Sequence, residues 1–184
     1  MKIIVGLGNP GKQYEKTRHN LGFIIADALR EIWKFENWRE DKKNNSLVAE
    51  GKVGKEKIYL LKPQTFMNAS GSAIAKFISY HKKISSDNIL VIHDELDLPW
   101  KKIKIENGRG SAGHKGVQSI IESLDTKDFS RMRVGIKQES TKTIKAENFV
   151  LDKLSDGELG VLPDIISEAK TKAEEFIKKK QKAP

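Results

Sequence analysis

The run Ile89-Leu90-Val91-Ile92 passes directly into His93-Asp94-Glu95-Leu96-Asp97-Leu98-Pro99, and this abrupt change restricts what the chain can fold into. Consecutive apolar residues without polar alternation describe a strand buried on both faces, as at the centre of a sheet covered by helices. Ile3-Ile4-Val5, closed by Gly6, describes a second such strand. Histidine and carboxylates at the end of a buried strand stand where open α/β sheets collect their sites.

The rest of the pattern supplies the covering layers. Leu21, Ile25, Ala28, Leu29 and Ile32 recur at helical spacing and predict a helix over 21–34. Ala73, Ile74, Phe77 and Ile78 predict another over 69–82, with Asn68 or Ser70 as its N-cap. Val117, Ile120, Ile121 and Leu124 mark a third helix. Leu159, Leu162, Ile166, Ala169, Ala173 and Ile177 mark a last one, with Pro163 near its start, where proline is tolerated. Residues 47–53 and 56–62 around Gly54-Lys55 read as a β-hairpin. Lys102-Ile103-Lys104-Ile105 alternates like a half-exposed strand, and Met132 to Ile136 reads as another strand. The charged segment 35–46 reads as a surface loop, the glycine-rich segment 106–113 as a mobile loop, and the lysine tail from Lys178 as frayed. Alternating helices and strands with no linker or repeat predict a single-domain α/β sandwich over 1–184, a mixed central β-sheet surrounded by helices.

A net charge of +9 makes a polyanion a partner to look for. The absence of cysteine excludes a disulfide framework, a thiolate zinc site and a cysteine nucleophile, and fits the cytoplasm. No apolar run approaches the roughly 20 residues that span a bilayer. No apolar leader follows Lys2, so neither membrane attachment nor secretion is expected.

Gly6-Leu7-Gly8-Asn9-Pro10-Gly11 matches the dinucleotide pattern G-x-G-x-x-G, but only superficially. That fold needs an apolar helix starting at the motif, and here Lys12 to Arg18 offers no apolar face. Pro10 also lacks an N–H for a phosphate. The segment reads instead as a turn that aims Asn9 into a cleft, with the loop from Lys12 to Asn20 delivering His19.

Among His19, His81, His93 and His114, the strongest candidate for chemistry is His19, with Asp94 as its acid; His81 reads as surface. A carboxylate accepting from one imidazole nitrogen fixes the tautomer and leaves the other nitrogen to take a proton from water. Asp94, Glu95 and Asp97 beside His93 also suggest a divalent ion, but no second histidine–carboxylate cluster accompanies them, so no metal is expected. Arg109-Gly110-Ser111-Ala112-Gly113 misses the nucleophile elbow G-x-S-x-G at its first position. Water is then the simplest nucleophile. Asn68 is readable either as an oxyanion donor or as a helix cap, and Phe66 and Met67 either as core or as an apolar shelf. Two basic stretches, Lys101, Lys102, Lys104, Arg109 and Lys115, then Arg131, Arg133, Lys137, Lys142 and Lys145, suit a phosphate backbone.

In order and spacing, Gly6–Gly11, Thr17-Arg18-His19-Asn20, Lys62-Pro63-Gln64-Thr65-Phe66-Met67-Asn68 and His93–Pro99 resemble the peptidyl-tRNA hydrolases of bacteria and organelles. The resemblance runs from Ile3 to about Ile177. It implies a monomeric α/β enzyme, without metal or organic cofactor, that cleaves the ester joining a peptide to the 3′ ribose of tRNA and contacts the acceptor stem and 3′ end. It implies His19 as proton acceptor, Asp94 as its stabiliser, Asn9 as the group that tells blocked from unblocked aminoacyl-tRNA, and Asn68 as the holder of substrate and tetrahedral intermediate. Tyr14 and Phe66 match positions on the acceptor end, Met67 lines the same crevice, and Lys104, Arg133 and Lys142 match basic positions implicated in tRNA binding. Where the family has Gly-His-Asn-Gly, this chain reads Gly113-His114-Lys115-Gly116, so the substrate contacts of His114 and Lys115 are expected to differ. Lysine donates but cannot accept a hydrogen bond. The alternative within this resemblance is a non-hydrolytic RNA-binding relative.

Overall fold

A computed structural model describes residues 1–81, 84–138 and 145–179. Both predicted buried strands lie inside a seven-stranded mixed sheet. The strands are β1 (Lys2–Gly6), β2 (Arg39–Asp41), β3 (Ser46–Val53), β4 (Glu56–Pro63), β5 (Ile89–Pro99), β6 (Ile103–Asn107) and β7 (Ser130–Lys137). Their order across the sheet is β2-β3-β4-β1-β5-β7-β6. β1 runs parallel to β4 and β5, and β5 parallel to β7. The edges are antiparallel: β2 and β3 lead into β4 on one side, and β6 borders β7 on the other.

The helices are α1 (Leu21–Ile32), α2 (Ser70–Tyr80), α3 (Lys115–Leu124), α4 (Ala146–Leu151) and α5 (Asp156–Lys178). Because side chains alternate across a strand, Ile4 packs with Ile25 and Leu29 of α1 and Ala169 and Phe176 of α5. Its neighbours Ile3 and Val5 pack with Ile74 and Phe77 of α2 and Val117 and Ile120 of α3. Both faces are covered, which is why the central strands carry no polar alternation. No described helix is long and apolar enough to cross a membrane.

Several elements differ from the sequence reading for identifiable reasons. The segment 35–46 holds the short strand β2, an edge strand whose Arg39, Glu40 and Asp41 give it the charged character of a protected edge. β5 continues through the polar motif to Pro99, because His93, Asp94 and Glu95 are buried by partners that periodicity does not register. α4 is a single short helix held by Phe149, too brief to show a period. α5 starts earlier than its first apolar residue, at a capping box of Ser155 and Glu158, so Pro163 stands well inside it. α2 starts after a tight turn, Met67–Ala69, with Ala69 at the N-cap position, so neither Asn68 nor Ser70 caps it. His81 is half-buried rather than surface, its ring stacked 4.3 Å from Phe77.

α1 approaches the sheet where two glycines face each other. A Cβ on Gly6 would collide with the Gly22 carbonyl, and one on Gly22 with the Leu7 and Ile92 carbonyls. This contact brings the start of α1, and the residues just before it, against the C-terminal ends of β1 and β5.

Candidate active site

The strand end of β1 turns at Gly11, whose φ of 112° only glycine adopts readily, and is followed by a short turn Lys12–Tyr14 rather than a long helix. The dinucleotide pattern is therefore a turn. Asn9 within it is buried and clamped from two sides: its amide N–H donates to Asn20 Oδ1 at 2.8 Å, and Asn20 Nδ2 donates to its carbonyl at 3.0 Å. Its own Oδ1 accepts from the Met67 amide at 2.8 Å. That bond orients the side-chain amide so that its NH2 is the group offered to the cleft.

His19 stands in the turn Arg18–Asn20 immediately before α1. Its Nδ1 lies 2.9 Å from Asp94 Oδ1. The same oxygen lies 3.1 Å from His114 Nε2. The two imidazoles are not equivalent. His114 caps α3: its Nδ1 accepts from the Gly116 and Val117 amides, at 3.1 and 3.2 Å. A nitrogen accepting two N–H groups carries no proton, so His114 is neutral, with its hydrogen on Nε2 donated to Asp94. His19 donates through Nδ1, which leaves its Nε2 with a lone pair on the cleft wall.

Burial opposes the charge of Asp94, but the two imidazoles and their hydrogen bonds outweigh it and hold the carboxyl well below the usual range. His93 lies beneath, its ring 4.7 Å from that of His114. Its Nδ1 donates to the Asp94 carbonyl at 2.7 Å. Burial pushes His93 down to about 3, so it is a neutral structural ring.

His19, Asp94 and His114 present ligand atoms within 4.8 Å of one another. The donor set does not suit a metal, since His114 Nε2 must keep its hydrogen while Nδ1 caps α3.

The cleft has a volume of about 570 Å³ and is walled by Asn9, His19, Asn68, Asp94 and His114, with Phe66 and Met67 alongside. Phe66 is 62% exposed while Met67 is buried. Asn68 is exposed, makes no capping bond and lines the cleft.

A family model described as peptidyl-tRNA hydrolase matches residues 3–183. The chain belongs to the peptidyl-tRNA hydrolase family. It is 44% identical to the peptidyl-tRNA hydrolase of Mycoplasma capricolum, over 89% of this chain and 86% of the relative. It is 41% identical to that of Halalkalibacterium halodurans, over 97% of this chain and 95% of the relative. The crystal structure of peptidyl-tRNA hydrolase from Acinetobacter baumannii superposes with a TM-score of 0.88 at 32% identity, covering 96% of this chain and 88% of that one.

The residues expected on peptidyl-tRNA by family resemblance are distributed unevenly. Phe66, Met67, His114 and Lys115 line the cleft, whereas Tyr14 and Lys104 do not. Lys104 is exposed on the edge strand β6. Arg133 is not presented to a phosphate: it is 7% exposed, its Nε 2.8 Å from Glu95 and its Nη1 on Glu106. Arg131 is likewise buried, donating to the Gly110 carbonyl, and Arg109 pairs with Glu106. The basic stretches thus reach solvent mainly through lysines and the exposed Arg109, because Arg131 and Arg133 are engaged inside the sheet edge. Lys142 lies outside the described residues.

Sequence reasoning assigned no role to Asn20, Arg18, Glu158 or His93. Arg18 pairs with Glu158 through both Nε and Nη2, at 2.8 and 2.7 Å, and the loop carrying His19 runs beside the segment after α4 through the bonds Arg18 N to Asp152 O and Leu154 N to Lys16 O. The capping box Ser155–Glu158 was readable from spacing. The choice of Arg18 as its further partner was not.

Proposed function

We propose that this chain hydrolyses peptidyl-tRNA with His19 as general base, Asp94 as its orienting acid and Asn68 as oxyanion donor. One observation carries the reading: His19 Nδ1 is held by a buried, ionised Asp94, so that Nε2 is left unprotonated on the wall of a cleft lined by two side-chain amides. Nε2 takes a proton from water as the water oxygen adds to the ester carbonyl. The oxyanion accepts from the Asn68 amide, and the Asn9 NH2 binds a carbonyl of the blocked amino group. On collapse, the bond to the ribose 3′ oxygen breaks and the imidazolium returns its proton to that oxygen. The products are a peptide acid and tRNA with a free 3′ hydroxyl.

Phe66 offers an exposed ring for a base of the 3′ end. Lys104, among the exposed lysines, suits the acceptor-stem phosphates. The reaction needs no cofactor, and the enzyme acts as a monomer in the cytoplasm, where peptidyl-tRNA arises.

The test is release of N-blocked amino acid from N-blocked aminoacyl-tRNA by the purified chain in EDTA, beside His19→Ala. Release that falls by about 10²–10⁴-fold in the variant is expected. Salt-sensitive tRNA binding without release would leave a binding-only relative.

A further inference from the structure

The cleft has a second set of walls that the hydrolytic step does not use. Leu96, Val150 and Leu151 make it apolar, and Lys115 and Glu147 stand at its rim. Lys115 Nζ lies 3.0 Å from Glu147 Oε1, with side chains 65% and 78% exposed. The pair joins the first residue of α3 to the first turn of α4.

Its electrostatics are lopsided. Lys115 sits at the positive end of α3, where a cation is disfavoured and an anion welcome. Glu147 is held below its usual range by the hydrogen bond from Lys115 first, with the charge of Lys145 adding to it. Two lysines and a helix N-terminus therefore surround one carboxylate, and the rim is net positive. Both members are solvated, so exchanging one partner for another costs little.

Building on the hydrolase reading, we propose that Lys115 and Glu147 select the peptide moiety by charge: an acidic peptide side chain displaces Glu147 and pairs with Lys115, while a basic one is disfavoured. The apolar walls beside the pair favour a peptide there over the tRNA backbone, since phosphates gain nothing from Leu96, Val150 and Leu151. Asparagine, which the family resemblance would place at 115, carries no charge and would not discriminate in this way.

The experiment compares kcat/KM on N-acetyl-dipeptidyl-tRNAs that share one tRNA and differ only in Asp, Asn or Lys at the first peptide position. Ratios between substrates cancel any loss of folded enzyme. For the wild type, Asp is expected over Lys by roughly 3–5-fold at low salt, narrowing as salt is raised. Lys115→Asn leaves Glu147 alone and should reverse the order. Glu147→Gln leaves Lys115 unopposed and should widen it. Ratios within twofold of one another in all three proteins overturn the proposal. A uniform loss on every substrate in Lys115→Asn, with a shallower salt dependence of tRNA binding, also overturns it and gives Lys115 to the nucleic acid. No release from any substrate by the wild type overturns the hydrolase reading and this inference with it.

Discussion

Asp94 Oδ1 receives two imidazole donors, and what separates their roles is the far nitrogen of each ring. His114 has its far nitrogen committed to two backbone amides at the start of α3. His19 has its far nitrogen on the cleft. Hydrogen bonding thereby leaves His19 as the ring with a nitrogen free for the proposed base role, without appeal to position in the sequence. Asn68 is exposed and uncapped, so its amide has no structural duty to lose. Asn68→Ala is expected to lower kcat by about 10²–10³-fold, the usual cost of one oxyanion donor. Unchanged thermal stability should accompany that loss, and a kcat within threefold of wild type would remove Asn68 from the oxyanion role.

At the scale of elements, the loop carrying His19 is held by α5 as much as by α1. Arg18 and Glu158 are 9% and 5% exposed in their side chains, and Arg18 also lies 4.2 Å over the Phe149 ring of α4. Glu158→Gln keeps the shape and the capping-box acceptor, since glutamine serves that motif too. It leaves Arg18 as a buried charge without its counter-ion. A loss of about 3–5 kcal/mol in urea unfolding is expected, with slower hydrolysis by the surviving folded enzyme. A loss under about 1 kcal/mol would mean that the Phe149 carbonyl and solvent satisfy Arg18 without Glu158.

At the scale of the whole molecule, the formal charge of +9 overstates the rigid binding surface, because Arg131 and Arg133 are internal. Lys104→Ala is therefore expected to reduce the slope of log Kd for tRNA against log salt by about 0.7–0.9. Arg133→Gln should instead appear as lost stability, having left the buried Glu95 without its counter-ion, while Glu106 keeps Arg109. The fold as a whole also carries an acid liability in His93. Folded, it resists protonation down to about 3, while unfolded it binds a proton below about 6.5. The unfolded state therefore holds more protons between those values. Its contribution is intact above the unfolded value and is lost as pH falls toward the folded one. From pH 6.5 to 4.5 this amounts to about 2–3 kcal/mol. His93→Gln should flatten the pH dependence of unfolding by about that much; coincident slopes would show that the proton goes elsewhere.

The amino-acid sequence by itself determined the α/β class, the central strands, the helices α1, α2, α3 and α5 and the hairpin, because burial on one or both faces leaves a period that residues carry locally. It also singled out His19, Asp94, Asn9 and Asn68 as candidates for chemistry, and all four line one cleft. Tertiary structure alone decided that Asp94 serves two histidines, that His114 is a fixed neutral cap, that Arg133 faces two carboxylates instead of solvent, and that Arg18 is tied to Glu158. The His114 cap is a local contact with Gly116 and Val117, but the other facts depend on which groups meet across 20 to 140 residues of chain, as with Arg18 and Glu158 at a separation of 140. A residue's identity states what it can donate or accept; only the fold states what stands opposite it.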